Sequence, residues 1–318
     1  MEPSRRRPPR LFVRVAFYAA VVAVVFLIRG QSAQRGLGFR LPTESDTVKT
    51  ITLVGLELAP GLIPLLVQGY HREFPDLHVL TRDGGTVRAL EALANRQAAV
   101  GLLYRPPTRA EQALVKSAVN DTVVYYPIAL GGIALLGNPS SSLDALTMDD
   151  LRRFLRGEGD ARFDRLYAPD PNQGLWDAFR SGLGVALDEP SPATTTFLVD
   201  EAAVLQAVAA DPRSVGIGST LTLPDSAEIH EVRILAVRPD AAAVAVKPGY
   251  EQVGYGEYPL YHYLYVGCLK DGSVRGAMFV TFLNGDRGQR QVERAGFLPA
   301  RQTWRPISLT RHPLGSSN

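Results

Sequence analysis

Three short stretches bring together groups that hold an anion without a dedicated cation: "GLELAP" at 55–60, "GGTVR" at 84–88 and "PNQGLW" at 171–176. Each sets glycines or turn formers directly before apolar residues, so each reads as a strand running into a helix start. The first four N–H groups of a helix lack partners inside it, and the helix dipole places partial positive charge there. An oxyanion can accept those bonds. In "RDGGTVRALEAL", 82–93, Gly84, Gly85 and Thr86 precede Val87, Leu90 and Leu93, whose spacing is that of a helix face packed on a sheet. Taken alone, each stretch also fits an ordinary strand-to-helix turn.

Other chemistry is not legible. The five histidines, His71, His78, His230, His262 and His312, are scattered and show no metal-ligand spacing. There is no Gly-x-Ser-x-Gly elbow, no phosphate loop and no complete Gly-x-Gly-x-x-Gly. "GIGST" at 216–220 has turn glycines without the context of a nucleotide fingerprint, and Asp149/Asp150 and Asp188/Glu189 read as caps or loop residues. A single cysteine, Cys268, excludes an internal disulfide and a Cys-based zinc site. No catalytic, metal or cofactor set emerges, which favours a binding protein over an enzyme. The formal charge is only +2, with much of the basic excess in the N-terminal "RRRPPR". A nucleic-acid partner would require a basic face with interleaved aromatics in the folded part, and none is found.

The elements that must position the three junctions follow from periodicity. "VKTITLVG", "LHVLTR" and "AAVGLLY" read as strands, separated by helices in "PGLIPLLVQGYHREF", "TVRALEALANRQ" and "TRAEQALVKSA". Strands alternating with helices of this length imply βαβ units and a parallel sheet, whose ligands bind at the carboxyl ends of strands. A second block opens near Gly131. It contains the strand "GGIALLGN", a helix in "TMDDLRRFLRGE" with Thr147 and Asp150 as a capping-box-like start, a helix capped by Asp200, and the strand "SVGIGS". "YPLYHYLYVGC" is an aromatic-rich strand, and one or two helices follow Gly272. "DAAAVAVKPGYEQVGYGEYP" has no clear period.

The N-terminus addresses the compartment. A basic segment, 1–10, precedes residues 11–28, "LFVRVAFYAAVVAVVFLI", which are apolar except for Arg14. This reads as a signal peptide or transmembrane anchor. Val15 to Ile28 would span about 21 Å as a helix, short of a hydrocarbon core of about 30 Å, and snorkelling of Arg14 lengthens the span. Small-x-small cleavage positions are poor, so an uncleaved anchor is expected. With the arginines inside, the rest of the chain faces outward, single-pass on the periplasmic side, or is secreted there if the segment is cleaved. Residues 29–47 read as a linker.

The order of these stretches resembles the PstS-like phosphate-binding proteins of ABC transporters, a group of type II periplasmic solute-binding domains. The resemblance rests on "ITLVGLELAPGLIPLLVQGYHREFPDLHVLTRDGGTVRALEAL", "YPIALGGIALLGNPSSSLDALTMDDLRRFLRGE", "YPLYHYLYV" and "FVTFLNGDRGQRQVERAGFLP", spread over about residues 48–300. It implies a two-lobe α/β fold over 48–304, with lobe 1 at about 48–130 and 255–304, lobe 2 at about 131–254, and a tail at 305–318. It also implies a cleft holding a small anion such as phosphate, handed to ABC permease subunits. Carried over residue by residue, it nominates Gly85, Thr86 and Arg88 at the second junction, Arg105 after the third strand, and Asn172, Gln173 and Gly174 at the third junction. Where the family has hydroxyls in its first loop, this chain has Leu56-Glu57-Leu58, and Glu57 would repel a dianion. These departures leave a second expectation open: a membrane-anchored domain that has lost its ligand and acts as an interaction or sensory module.

Overall fold

The computed structural model describes residues 49–223 and 232–301. The basic segment 1–10, the expected anchor at 11–28, the linker at 29–47 and the tail at 305–318 lie outside the described residues. Among the described residues, no helix is long and apolar enough to cross a membrane.

The chain alternates as its apolar spacing requires: β1 (Thr50–Val54), α1 (Ile63–Glu73), β2 (His78–Arg82), α2 (Thr86–Ala94), β3 (Val100–Leu103) and α3 (Arg109–Val119). Then come β4 (Val123–Gly137), β5 (Ala145–Thr147), α4 (Met148–Leu155), β6 (Arg165–Pro169), α5 (Leu175–Gly182), β7 (Thr195–Leu198), α6 (Glu201–Ala210), β8 (Ser214–Ser219) and β9 (Arg233–Arg238). The chain returns through α7 (Tyr250–Gly254) and β10 (Tyr261–Leu269) to α8 (Val274–Asn284), α9 (Asp286–Arg294) and β11 (Leu298–Pro299). Helix α4 starts with the expected box: Asp150 N donates to Thr147 Oγ1 (3.0 Å) and Thr147 N to Asp150 Oδ2 (2.9 Å). Asp200 caps α6, accepting from Ala203 N at 2.8 Å. Five strands, β5, β6, β7, β9 and β11, have no counterpart in the apolar pattern.

The main strand order is β2-β1-β3-β10-β4-β8-β6-β7. Parallel pairing holds within each set of βαβ units, β2-β1-β3 and β8-β6-β7. Parallel pairing gives way in the middle, where β10 runs antiparallel to β3 and β4, and β4 antiparallel to β8. The reason is connectivity: β4 carries the chain out of the first set of strands, and β10 brings it back in the opposite direction.

Strand β4 therefore belongs to two halves of the sheet. Its residues 123–132 pair with β10, and 133–137 with β8. The β10 register slips at Leu264/Tyr265, opposite Pro127 and Ala129. Proline cannot donate to the ladder, so a bulge at this point is its expected consequence. One buried cluster runs across both halves, from Ile51, Leu102 and Val266 to Leu135 and Ile217. Helix α8 docks on α1 through aromatics: Tyr70 meets Phe279 edge-on at 4.8 Å and Phe282 at 5.1 Å between centroids. Such pairs each contribute about 0.5–1.5 kcal/mol beyond area burial.

Candidate functional site

Two of the three nominated junctions meet. Gly84–Thr86 lies between β2 and α2 in the first half, and Pro171–Gln173 forms a 3-10 turn between β6 and α5 in the second. Thr86 is fully buried. Its hydroxyl donates to the carbonyl oxygen of Gln173 (2.8 Å) and accepts from the Tyr104 amide (3.0 Å). A Cβ added to Gly85 would lie 2.3 Å from Gln173 Cα and 2.5 Å from the Asn172 carbonyl oxygen. One added to Gly174 would lie 2.4 Å from Thr86 Oγ1. Gly85 is thus required by the approach of main chain and Gly174 by that of the Thr86 side chain, and Gly174 also has φ +94°. Gly85, Thr86, Gln173 and Gly174 are brought together, in direct contact with one another.

The donors of the third junction are largely turned inward. The Asn172 amide donates to Asp170 Oδ1 (2.9 Å), the Gln173 amide to the Asp170 carbonyl (2.9 Å) and the Gly174 amide to the Pro171 carbonyl (3.0 Å). Asp170 is a built-in acceptor for a turn that was expected to offer its amides to a solute. The Asn172 side chain is exposed, and the Gln173 side chain reaches only to the Val199 carbonyl at 3.4 Å.

Around this seam the charge is mostly negative. Glu57, exposed in the 3-10 turn Leu56–Leu58, has its carboxyl pushed up by partial burial and by Asp83, Asp170 and Asp200, against the pull of Arg88. Arg88 is exposed on the first turn of α2. Arg105 lies elsewhere: its side chain is buried, with Nε donating to Asp177 Oδ2 (2.7 Å) and the two terminal nitrogens donating to Glu111 (2.7 and 2.9 Å). Its fork is spent on carboxylates, one of them in the opposite half.

Beside the seam is a buried polar group that the sequence reading did not nominate. The Tyr104 ring stands edge-on to His262, centroids 4.6 Å apart, and its hydroxyl donates to the Leu58 carbonyl. Ser219 Oγ and His262 Nε2 are 2.7 Å apart, and Ser219 Oγ accepts from the Leu221 amide (3.1 Å). Glu201 Oε2 accepts from the Ser219 amide (2.8 Å) and the Thr222 hydroxyl (2.6 Å). A signal existed: His262 falls on the inward positions of an alternating strand, where a polar residue requires a partner. The arrangement is not a catalytic relay. Glu201 is committed to Ser219 and Thr222, His262 Nδ1 has no hydrogen-bond partner among the described residues, and Ser219 is buried. Among the described residues no group of three or more His, Cys, Asp or Glu is placed to hold a metal ion.

Burial sets the protonation of this group. Glu201 is pushed up to about 7 from an ordinary 4.5, with the Thr222 and Ser219 bonds opposing; His262 is pushed down to about 4 from 6.5. Between pH 4.5 and 7 the folded state holds a proton on Glu201 that the unfolded chain has released, so this residue costs stability as pH rises. His262 acts in the opposite sense between about 4 and 6.5, so the two partly cancel below 6.5. Glu201→Gln, which keeps an acceptor for both bonds, is expected to exceed the native chain in stability by about 1–2 kcal/mol above neutrality and to lose that advantage in acid. Urea unfolding at both pH values measures it; equal midpoints at alkaline pH would contradict the expectation.

A family model described as the PBP superfamily domain matches residues 42–287. No curated protein sequence matches the chain. Among solved structures, the chain is similar to a candidate phosphate ABC transporter substrate-binding protein with bound phosphate from Clostridium perfringens, with a TM-score of 0.64, 16% identity and coverage of 79% of this chain and 100% of that one. It is similar to an ABC-type phosphate transport receptor from Vibrio cholerae, with a TM-score of 0.58, 18% identity and coverage of 78% and 99%. PstS from Borrelia burgdorferi follows with a TM-score of 0.50, 17% identity and coverage of 79% and 98%. At these identities the likeness is one of fold.

Proposed function

The chain belongs to the PBP superfamily, and from that premise we propose that it is an extracytoplasmic solute-binding protein that takes a small oxyanion between two lobes and delivers it to an ABC permease. The lobes would be about 48–130 with 255–304, and about 131–254, with residues 11–28 as the membrane tether. The observation that carries the reading is the meeting of Gly84–Thr86 with Pro171–Gly174, two turns from opposite halves of the sheet at starts of helices. Opening that seam would free the Thr86 hydroxyl and face the first-turn amides of α2 toward the entering anion, with Arg88 alongside. Arg105, Asn172 and Gln173 enter this reading as donors only in an opened form.

Isothermal titration of the full-length chain with inorganic phosphate, sulfate, tungstate and small carboxylates is the test. Saturable heat below millimolar concentration is the expected result. Absence of heat with every anion at millimolar concentration would overturn the proposal.

One observation favours a second reading. The seam is closed by the protein's own groups and ringed by Glu57, Asp83, Asp170 and Asp200, as a domain that no longer binds an anion would be. On that reading the anchored domain acts as an interaction or sensory module. It predicts no anion binding together with a stable partner recovered from the envelope.

A further inference from the structure

We infer that Arg105 is the latch that holds the two halves shut over the seam, and that a solute enters only when its bond to Asp177 breaks. The inference concerns regulation of the site proposed above and rests on that reading for its ligand arm alone.

Arg105 follows β3 in the first half, and Asp177 lies on α5 in the second; the Nε to Oδ2 distance is 2.7 Å and the arginine side chain is 9% exposed. Glu111 grips the other edge of the guanidinium at 2.7 and 2.9 Å, and is itself held by the Thr108 amide at 2.7 Å. The fork is therefore pre-aimed at α5 by groups of its own half. Ionised hydrogen bonds of this kind are short and strong, and a largely enclosed pair is weakly screened. Asp177 is the third residue of α5, and α5 begins immediately after Gly174. Gln173, whose carbonyl takes the Thr86 hydroxyl, and Gly174, which abuts that hydroxyl, are thus rigidly linked to Asp177. Whatever moves α5 away from Arg105 also parts Gly85 from Gln173. Gly85 and Gln173 make backbone contact, so no solute fits between them while the latch is closed. Affinity measured from outside is then the intrinsic affinity reduced by the open fraction.

Asp177→Ala in the full-length chain is the informative variant, because it removes the acceptor of Arg105 Nε while Arg105 keeps Glu111, so no buried charge is stranded. Its unliganded small-angle scattering is expected to show a larger radius of gyration than the native chain. The Tyr104 amide bonds to Thr86 within the first half, beneath the Gln173 turn; losing that cover is expected to speed its exchange with deuterium about tenfold, the factor that about 1.4 kcal/mol supplies. Arg105→Lys, which keeps the charge and lacks the fork, should behave alike. Superimposable scattering and unchanged Tyr104 exchange in both variants would overturn the latch. So would a native chain whose Tyr104 amide exchanges as fast as an open turn, a measurement that needs no variant to fold. Inorganic phosphate separates the two readings. Tighter binding by Asp177→Ala than by the native chain supports both; unchanged affinity overturns the latch. No binding by either removes the anion reading, and the exchange result then decides the latch alone.

Discussion

Replacing Arg105 with alanine is expected to lower the unfolding free energy by about 2–4 kcal/mol near neutral pH. The substitution strands the carboxylates of Glu111 and Asp177 without their shared cation, and stranded buried charge is what makes the loss of one partner costly. The figure is set below the range for fully buried pairs because those two side chains retain 21% and 20% exposure. The pH dependence follows from Glu111. Burial by itself would raise its carboxyl, and the Arg105 bonds and the Thr108 amide more than offset this, holding it below the usual carboxylate range. A depressed carboxyl contributes stability above its ordinary pKa and loses it as pH falls through the folded one. The gap between native chain and variant should therefore be widest at neutral pH and narrow on acidification. Urea midpoints across a pH series measure this, and a gap that stays constant into acid would refute the assignment of the loss to these charges.

Gly85→Ala is expected to force the seam open and to cost about 1–3 kcal/mol as an overpacking change. Gly85 has φ −86° and ψ −170°, which alanine adopts freely, so no backbone strain contributes. What the methyl group meets is main chain: Gln173 Cα at 2.3 Å, the Asn172 carbonyl oxygen at 2.5 Å and Gln173 N at 2.7 Å. Main chain cannot rotate aside as a side-chain tip does, so the turn and α5 behind it must retreat together. Loss of the Thr86 to Gln173 bond and accelerated exchange of the Tyr104 amide are the signatures, with circular dichroism unchanged because neither helix start is broken. Native-like protection at Tyr104 in the variant would show that the two turns are not in contact in solution.

How much of this was legible varied with range. Helix α2 was, because Val87, Leu90 and Leu93 record its buried face in consecutive turns. The capping box at Thr147 and the cap at Asp200 were, because both partners sit within three residues. Strand β10 was, from alternation that places Leu264 and Val266 inward and Tyr261 outward. Strands β5, β6, β7, β9 and β11 were not. They run two to six residues, and β7 has little of its surface buried, so pairing rather than pattern defines them.

The site divides in the same way. The residue types at Gly84–Thr86 and Pro171–Gly174 marked both turns as special, and the order of the surrounding elements pointed to the family that the match over 42–287 assigns. The sequence alone thus determined helices α1–α4, α6, α8 and α9, the caps at Thr147 and Asp200, the βαβ units of the first half and the two turns, since all depend on neighbours within one or two turns of chain. Only the tertiary structure decided what those turns face. Thr86 meets Gln173 across 87 residues, Arg105 meets Asp177 across 72, and Ser219 meets His262 across 43. No local spacing encodes such pairings, because they are selected by how two sheet halves close on a shared strand. That closure brings the two turns into contact and sets Arg105 against Asp177 across the two halves.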